Sequence, residues 1–233
     1  MQHYWKHPIA SLVAISLLAA LGCSRGGSGQ PAAAVNGPKG DQAASDAGAT
    51  APAAAKRDQQ DELHPVVAFE TSMGSFTVRL DAEKAPLTVS NFLRYVANKH
   101  YEGTIFHQVQ KDYPKVVLGG GFTPDLKEKS PQSPYVRNEA HNGLKNRRGT
   151  IAMARQPDVI DSATAMFFVN LADNEVLDFK DRSPDHYGYC VFGEVTDGLS
   201  VLDSMAQVPV RDTQQVEHTP VQTIVIKSAR RLR

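Results

Sequence analysis

This 233-residue sequence has few cysteine and tryptophan residues and no excess of positive or negative charge. The chain has two cysteines, Cys23 and Cys190, so it can build neither a disulfide framework nor a cysteine-rich metal site. Lys and Arg total 25 and Asp and Glu total 25, so it lacks the basic excess that a nucleic-acid-binding surface needs. Its N-terminal apolar stretch, residues 9–21, is shorter than the roughly 20 residues of a membrane-spanning helix.

Residues 1–22 have the pattern of an export signal, because a short start containing Lys6 precedes the apolar stretch. The stretch ends in A-L-G-C at residues 20–23, and small residues before a cysteine resemble the bacterial lipobox. We therefore predict a lipoprotein signal peptide over 1–22 and lipidation of Cys23. Secretion without a lipid is the alternative. Because Ser24 is not aspartate, the predicted location is the outer membrane of a bacterial envelope, facing the periplasm.

Residues 23–63 read as a linker without stable structure. Positions 24–63 contain 11 alanines, 6 glycines and 3 prolines but no aromatic residue. Such a segment buries too little apolar surface to offset the entropy lost on ordering. The sequence therefore predicts a tether over 23–63, followed by one folded domain over 64–233.

Within the domain, strands are predicted over 66–70 and 75–80, where Phe76, Val78 and Leu80 alternate with polar residues. A helix is predicted from Pro86, because Val89 and later apolar residues recur at helical spacing, and a second helix over 199–207. Gly119–Gly121 read as a tight turn. Further strands are predicted over 104–109, 149–154, 165–171, 189–195 and 221–227. Many strands with two separated helices favour an antiparallel barrel.

Several separated motifs occur in a fixed order. Residues 104–107 read T-I-F-H, residues 144–155 read L-K-N-R-R-G-T-I-A-M-A-R, and residues 162–170 read S-A-T-A-M-F-F-V-N. Together they resemble the cyclophilins, the peptidyl-prolyl cis-trans isomerases, and especially the small bacterial ones. The resemblance implies a mainly β fold, an eight-stranded antiparallel barrel capped by two α-helices.

The resemblance also implies a pocket for a proline ring. The family's catalytic arginine would follow His107, but Gln108 stands there, which makes Gln108 the candidate catalytic residue with a weakened role. The residues that match the pocket lining are His107, Met153, Ala154, Met166, Phe168, Leu177 and Tyr189. Among them, Met166 replaces a glutamine and Tyr189 replaces a histidine.

Three further departures lie near the same pocket. Leu118 stands where a glutamine precedes the glycines, and Val176 where a large aromatic residue often sits. The segment between Gln108 and Leu118 is longer than usual by two residues. The family's pocket phenylalanine therefore matches Tyr113 when counted from the histidine, and Lys115 when counted back from the glycines.

Three functions remain open on this basis. The first is an envelope prolyl isomerase of reduced activity that assists protein folding and binds proline-containing polypeptides. The second is a catalytically weak module of the same fold that only binds such peptides, and the third is an inert scaffold. Isomerisation makes no net covalent change, so no cofactor or metal is implied. We expect a monomer, held at the membrane through Cys23.

Overall fold

The computed structural model describes residues 61–232, and they form a closed barrel of eight antiparallel strands. Around the barrel the strand order is β1, β10, β3, β4, β6, β5, β7, β2, while β8 and β9 form a separate two-stranded sheet. The predicted mainly β barrel is confirmed. The strands are β1 (Val66–Thr71), β2 (Gly74–Leu80), β3 (Ile105–Gln110), β4 (Val116–Phe122), β5 (Thr150–Met153), β6 (Phe167–Asn170), β7 (Val191–Asp197), β8 (Val210–Arg211), β9 (Thr219–Pro220) and β10 (Ile224–Arg231).

The predicted signal peptide 1–22, the lipidation site Cys23 and most of the predicted linker lie outside the described residues. The last three linker residues, 61–63, are helical, and the carbonyl of Leu63 accepts a hydrogen bond of 2.8 Å from the N–H of Ala82. Regular structure is therefore present at residues 61–63, just before the predicted boundary at residue 64. Within 61–232 no helix is long and apolar enough to span a membrane.

Within residues 61–232, the α-helices α1 (Pro86–Ala97) and α2 (Leu199–Gln207) pack on the barrel. Proline suits the first position of α1, because an N–H at that position would have no partner within the helix and proline has none to leave unpaired. The carboxylate of Glu139, from a distant loop, accepts hydrogen bonds from the N–H groups of Leu87 at 3.2 Å and Thr88 at 2.9 Å. Glu139 thus serves as the N-terminal cap that Ala85, which has no side-chain oxygen, cannot supply.

The barrel interior is filled by aromatic and branched side chains. The predicted alternation in β2 is confirmed, since Phe76, Val78 and Leu80 are all buried. Phe167 of β6 lies at the centre, with its ring centroid 5.4 Å from that of Tyr101 and 5.5 Å from that of Phe69 (centroid to centroid). Each such buried side chain contributes about 1.5–3 kcal/mol through apolar burial.

Gly119, Gly120 and Gly121 lie inside strand β4, so the prediction of a tight turn was wrong. A Cβ on Gly119 would lie 2.6 Å from the ring of Phe106, and one on Gly121 would lie 2.3 Å from Cγ of Met166. Gly120 also has φ +85, a conformation that favours glycine. Close packing across both faces of the strand therefore requires these glycines.

Strands β5 and β6 separate an inner face from an outer face. Met153 is opposite Phe167 and Ala152 is opposite Phe168. Because neighbouring residues on a strand point to opposite sides, Met153 and Phe167 face the barrel interior while Ala152 and Phe168 face outwards. The outer pair begins the candidate site.

Candidate active site

A second apolar cluster lies on the outside of the barrel, separate from the main core. Strand register builds it as a row of directly opposed residues across five strands, β3, β4, β6, β5 and β7. Opposed residues share one face of a sheet, so these side chains stand side by side. The row reads Gln108, Leu118, Phe168, Ala152 and Val191, and Val116, Ala154, Leu177 and Tyr189 complete the cluster.

Gln108 closes the β3 end of this row. A β-bulge precedes it, because Phe106 is opposite Gly119 and Gln108 is opposite Leu118, which leaves His107 without an opposed residue. The bulge turns Gln108 onto the outer face beside Leu118. Its side-chain amide forms no hydrogen bond with any described residue, and the residue is 3% exposed. The amide is therefore free to donate to a ligand that reaches the row.

His107 is buried and does not join the outer cluster. Its ring packs against Phe122 with a centroid separation of 4.5 Å. Burial lowers the pKa of His107 to about 3, because desolvation disfavours the charged imidazolium. His107 is therefore neutral near pH 7, and its ring is enclosed beside Phe122 instead of lining the outer cluster.

Met153 is not in the outer cluster, which corrects its assignment to the pocket. It belongs to the barrel core and is opposite Phe167, because alternation along β5 turns it inwards. Ala152, one residue earlier, takes the outward place opposite Phe168 and was missed. Alternation along β5 shows that Ala152 and Met153 face opposite sides of the sheet. Only the pairing with β6 shows that Ala152 is the one that faces outwards.

Met166 lies half-buried at the edge of the outer cluster. It sits directly over Gly121, and its carbonyl accepts a hydrogen bond of 3.0 Å from the N–H of Ala154. An apolar thioether thus occupies the rim between β4 and the end of β5. No polar group is offered to a ligand from this position.

Leu177 and Tyr189 are brought to the cluster by one buried amide. The side chain of Asn146 donates to the carbonyls of Leu177 at 3.0 Å and Tyr189 at 3.4 Å. The ring of Tyr189 then packs edge-on against Phe168, with a centroid separation of 5.7 Å. Asn146 also donates to Asp178 and accepts from Asn170, so the loop that carries Leu177 is tied to the barrel wall.

Arg155 supports Tyr189 from behind, and the sequence motif did not reveal this role. Its guanidinium carbon lies 5.0 Å from the centroid of the Tyr189 ring, within range of a cation–π contact. The guanidinium donates to the backbone carbonyls of Gln156, Pro157, Pro184 and Gly188. Arg155 therefore joins two loops and fixes the ring that closes one side of the cluster.

The lengthened loop after β3 places Tyr113 at the rim. Tyr113 is exposed, and its hydroxyl accepts a hydrogen bond of 3.3 Å from the N–H of Val176. Lys115 is exposed and is not part of the cluster, while its backbone N–H and C=O both form hydrogen bonds with the side-chain amide of Asn174. An open groove of about 550 Å³ runs beside Tyr113 and Val176.

No group of three or more His, Cys, Asp or Glu side chains in residues 61–232 is arranged to hold a metal ion. Cys190 is buried as a free thiol, and burial raises its pKa to about 12. A thiolate nucleophile is therefore not available at neutral pH from this residue. The chemistry of the site rests on apolar contact and neutral amides.

Sequence comparison identifies relatives of this architecture. Residues 66–231 match the family model described as cyclophilin type peptidyl-prolyl cis-trans isomerase/CLD. Peptidyl-prolyl cis-trans isomerase cyp18 of Streptomyces antibioticus is 46% identical over 164 residues, which cover 70% of this chain and 96% of the relative. Peptidyl-prolyl cis-trans isomerase B of Escherichia coli (strain K12) is 42% identical over 163 residues, covering 70% of this chain and 97% of that protein.

Solved cyclophilin structures also align with this chain. A cyclophilin type peptidyl-prolyl cis-trans isomerase from Cryptosporidium parvum aligns with a TM-score of 0.61 at 25% identity, covering 73% of this chain and 98% of its own. A second structure of that protein, in the presence of the dipeptide Ala-Pro, aligns with a TM-score of 0.59 at 26% identity, covering 72% of this chain and 99% of its own.

Proposed function

The chain belongs to the cyclophilin-type peptidyl-prolyl cis-trans isomerase family, and we propose that it isomerises prolyl bonds of envelope polypeptides at a rate reduced by Gln108. The observation that carries the proposal is the row that places the free amide of Gln108 beside the outward-facing Leu118 and Phe168. An apolar face next to a hydrogen-bond donor is what prolyl isomerisation requires.

The reaction rotates an amide bond. The barrier is about 18–20 kcal/mol, because amide resonance is lost at the twisted transition state. Uncatalysed exchange takes roughly 10–100 s at room temperature. A catalyst accelerates it by holding the proline ring, removing water from the bond, and donating a hydrogen bond to the prolyl nitrogen, whose lone pair becomes available as the bond twists.

The outer cluster supplies these contributions with its own residues. The proline ring would rest against Phe168 and Leu177, with Ala154, Met166 and Tyr189 around it, and Gln108 would donate its amide N–H to the prolyl nitrogen. His107 stays neutral and packs against Phe122. A structural relative was solved in the presence of the dipeptide Ala-Pro, which supports a proline-containing ligand.

A neutral amide explains the proposed attenuation. Hydrogen bonds from a charged donor are roughly twice as strong as those from a neutral one. If the difference in the transition state is about 2–3 kcal/mol, turnover falls roughly 30- to 150-fold relative to a charged donor in the same place. Met166 and Leu118 remove polar contacts as well, which further lowers the expected rate.

A peptide-binding module with little turnover is the second candidate function. The observation that favours it is the lack of a charged donor along the row, because Gln108 and Leu118 stand beside Phe168 and Met166 lies at the edge of the cluster. Nuclear magnetic resonance exchange of a proline peptide at high protein concentration separates the candidates. Catalysed exchange supports the isomerase, whereas binding in a titration without catalysed exchange supports the module. Absence of both effects contradicts both.

We also propose that the protein is a monomer tethered to the bacterial outer membrane through Cys23, with the domain in the periplasm. The proposal rests on the A-L-G-C pattern at residues 20–23 and the linker composition. A lipidated cysteine with two or more acyl chains gives stable membrane attachment. Polypeptides that fold in the envelope would then be the substrates.

A further inference from the structure

Strand β3 carries a second glutamine on the same face as Gln108. Gln110 is opposite Val116 and Gln108 is opposite Leu118, and both of these β4 residues belong to the outer cluster. Val109, between the two glutamines, is opposite Val117, and both of these valines are in the barrel core. Alternate residues on a strand share a face, so the two amides lie side by side along the site.

The side-chain oxygen of Gln110 lacks a partner. Its Oε1 is enclosed and accepts no hydrogen bond from any residue in 61–232, although the residue as a whole is partly exposed. An enclosed acceptor left without a donor is unfavourable, and such groups are rare in folded proteins. Because the residue is partly exposed, the proposal requires a rotation of this side chain that carries the oxygen to a ligand N–H.

We propose that Gln110 is a substrate-binding residue, which accepts a hydrogen bond from a backbone N–H of the client polypeptide two residues away from the proline. The inference rests on the proposed function, since it places the proline at Gln108. Residues along a strand advance about 3.4 Å each, so the two glutamines are about 7 Å apart. In the proposed complex the extended substrate runs alongside β3 with the same repeat, so its backbone nitrogen two residues from the prolyl nitrogen lies opposite Gln110.

This contact selects for chain conformation and not for side-chain type. Proline itself has no N–H, so the nearest donors of the substrate belong to flanking residues. A backbone N–H is common to nearly every residue, so recognition by Gln110 tolerates many client sequences but requires an extended segment. Substrate binding supplies the donor that Gln110 lacks in the free protein.

A coupled variation of protein and peptide tests the inference. Exchange rates, or dissociation constants where exchange is slow, are measured for a proline peptide and for copies N-methylated two residues before or two residues after the proline. For the unmodified protein, one of the two methylations should reduce binding or exchange about 5- to 10-fold. Gln110→Leu should show a similar reduction with the plain peptide and no further loss with the methylated one.

Two variants control the measurement. Gln110→Glu keeps an acceptor and should stay sensitive to N-methylation, whereas Gln132→Leu alters an exposed glutamine outside the cluster and should behave like the unmodified protein. Thermal unfolding confirms that Gln110→Leu is folded. Equal N-methylation sensitivity in Gln110→Leu and the unmodified protein would overturn the role of Gln110 while leaving the isomerase proposal intact. Absence of binding and exchange with every peptide would overturn both.

Discussion

Replacing Gln108 by arginine is the most direct test of how the site works. The change introduces a charged donor at the β3 end of the row, beside Leu118 and on the same outer face as Phe168. If that donor contacts the prolyl nitrogen, Gln108→Arg should raise the catalysed rate, because a charged hydrogen bond strengthens as the lone pair forms.

The size of the gain follows from the surroundings of residue 108. If a charged donor stabilises the transition state by about 2–3 kcal/mol more than a neutral one, the catalysed rate rises roughly 30- to 150-fold. The position is 3% exposed and lies beside an apolar leucine, so the guanidinium loses hydration that no carboxylate in the row replaces. We therefore expect a partial gain of about 3- to 20-fold, and a further gain when Met166→Gln adds a polar contact at the rim.

The assay compares the catalysed rate constant for one proline peptide across the unmodified protein, Gln108→Arg, Met166→Gln and the double variant. Gln108→Met is the matched control, since it has similar length and no donor, and it should lower the rate below that of the unmodified protein. Peptide dissociation constants measured in parallel separate weaker binding from slower turnover.

Two results would refute this reasoning. Measurable activity of the unmodified protein that Gln108→Arg leaves unchanged, and that Gln108→Met does not reduce, would show that another group contacts the prolyl nitrogen. Peptide binding that persists in all variants without any catalysed exchange would favour the binding module instead.

Four further predictions concern the anchor, the fold and its pH dependence. Cys23→Ala should leave unprocessed, unlipidated precursor, and intact-mass measurement of membrane fractions checks this; a mature chain without acyl groups in the unmodified protein contradicts it. Arg155→Ala should lower the free energy of unfolding by about 2–4 kcal/mol, because four backbone carbonyls lose a charged donor, and Arg155→Lys should recover only part since lysine lacks the planar fork; denaturant unfolding decides, and equal stability of all three would exclude the role. Gly120→Ala should cost about 3 kcal/mol or more, because its Cβ would lie 2.9 Å from the rings of Phe167 and Tyr101, whereas Gly103→Ala, with a similar positive φ and open space, should cost about 1 kcal/mol; similar losses in both would mean that backbone conformation alone matters. Burial lowers the pKa of His107 to about 3, so between about pH 6.5 and pH 3 the unfolded chain binds the proton and the folded chain does not; the free energy of unfolding should therefore fall as pH decreases, by up to about 1.4 kcal/mol per pH unit from this residue, and a His107→Leu variant that keeps the same slope would contradict the assignment.

Local sequence patterns were sufficient to predict those strands and helices that bury one side against the core and expose the other side to solvent. The alternation of Phe76, Val78 and Leu80 predicted β2, and the helical spacing after Pro86 predicted α1, because each element has one buried and one solvated side. The order of the motifs, through their resemblance to a family, predicted the closed barrel that periodicity alone leaves open.

The predictions were wrong where both faces of a strand are buried, or where a side chain's position depends on pairing with a distant strand. Strand β4 is buried along its whole length, so it shows no alternation, and its three glycines resembled a turn. Met153 was assigned to the pocket because it stands in a matching motif, yet its pairing with Phe167 turns it into the core. Neither the packing against Phe106 nor that pairing can be read from neighbours in the chain.

The sequence by itself determined which chemical groups this protein has: an amide at position 108 in place of a guanidinium, a thioether at 166, and a cysteine at 23 in a lipidation pattern. Only the tertiary structure decided which of these groups meet. The bulge at His107 and the register across β3, β4 and β6 align Gln108, Leu118 and Phe168 in one row. Cross-strand register is set by the closure of the whole barrel, so shifting one strand by a single residue would turn each of its side chains to the other face.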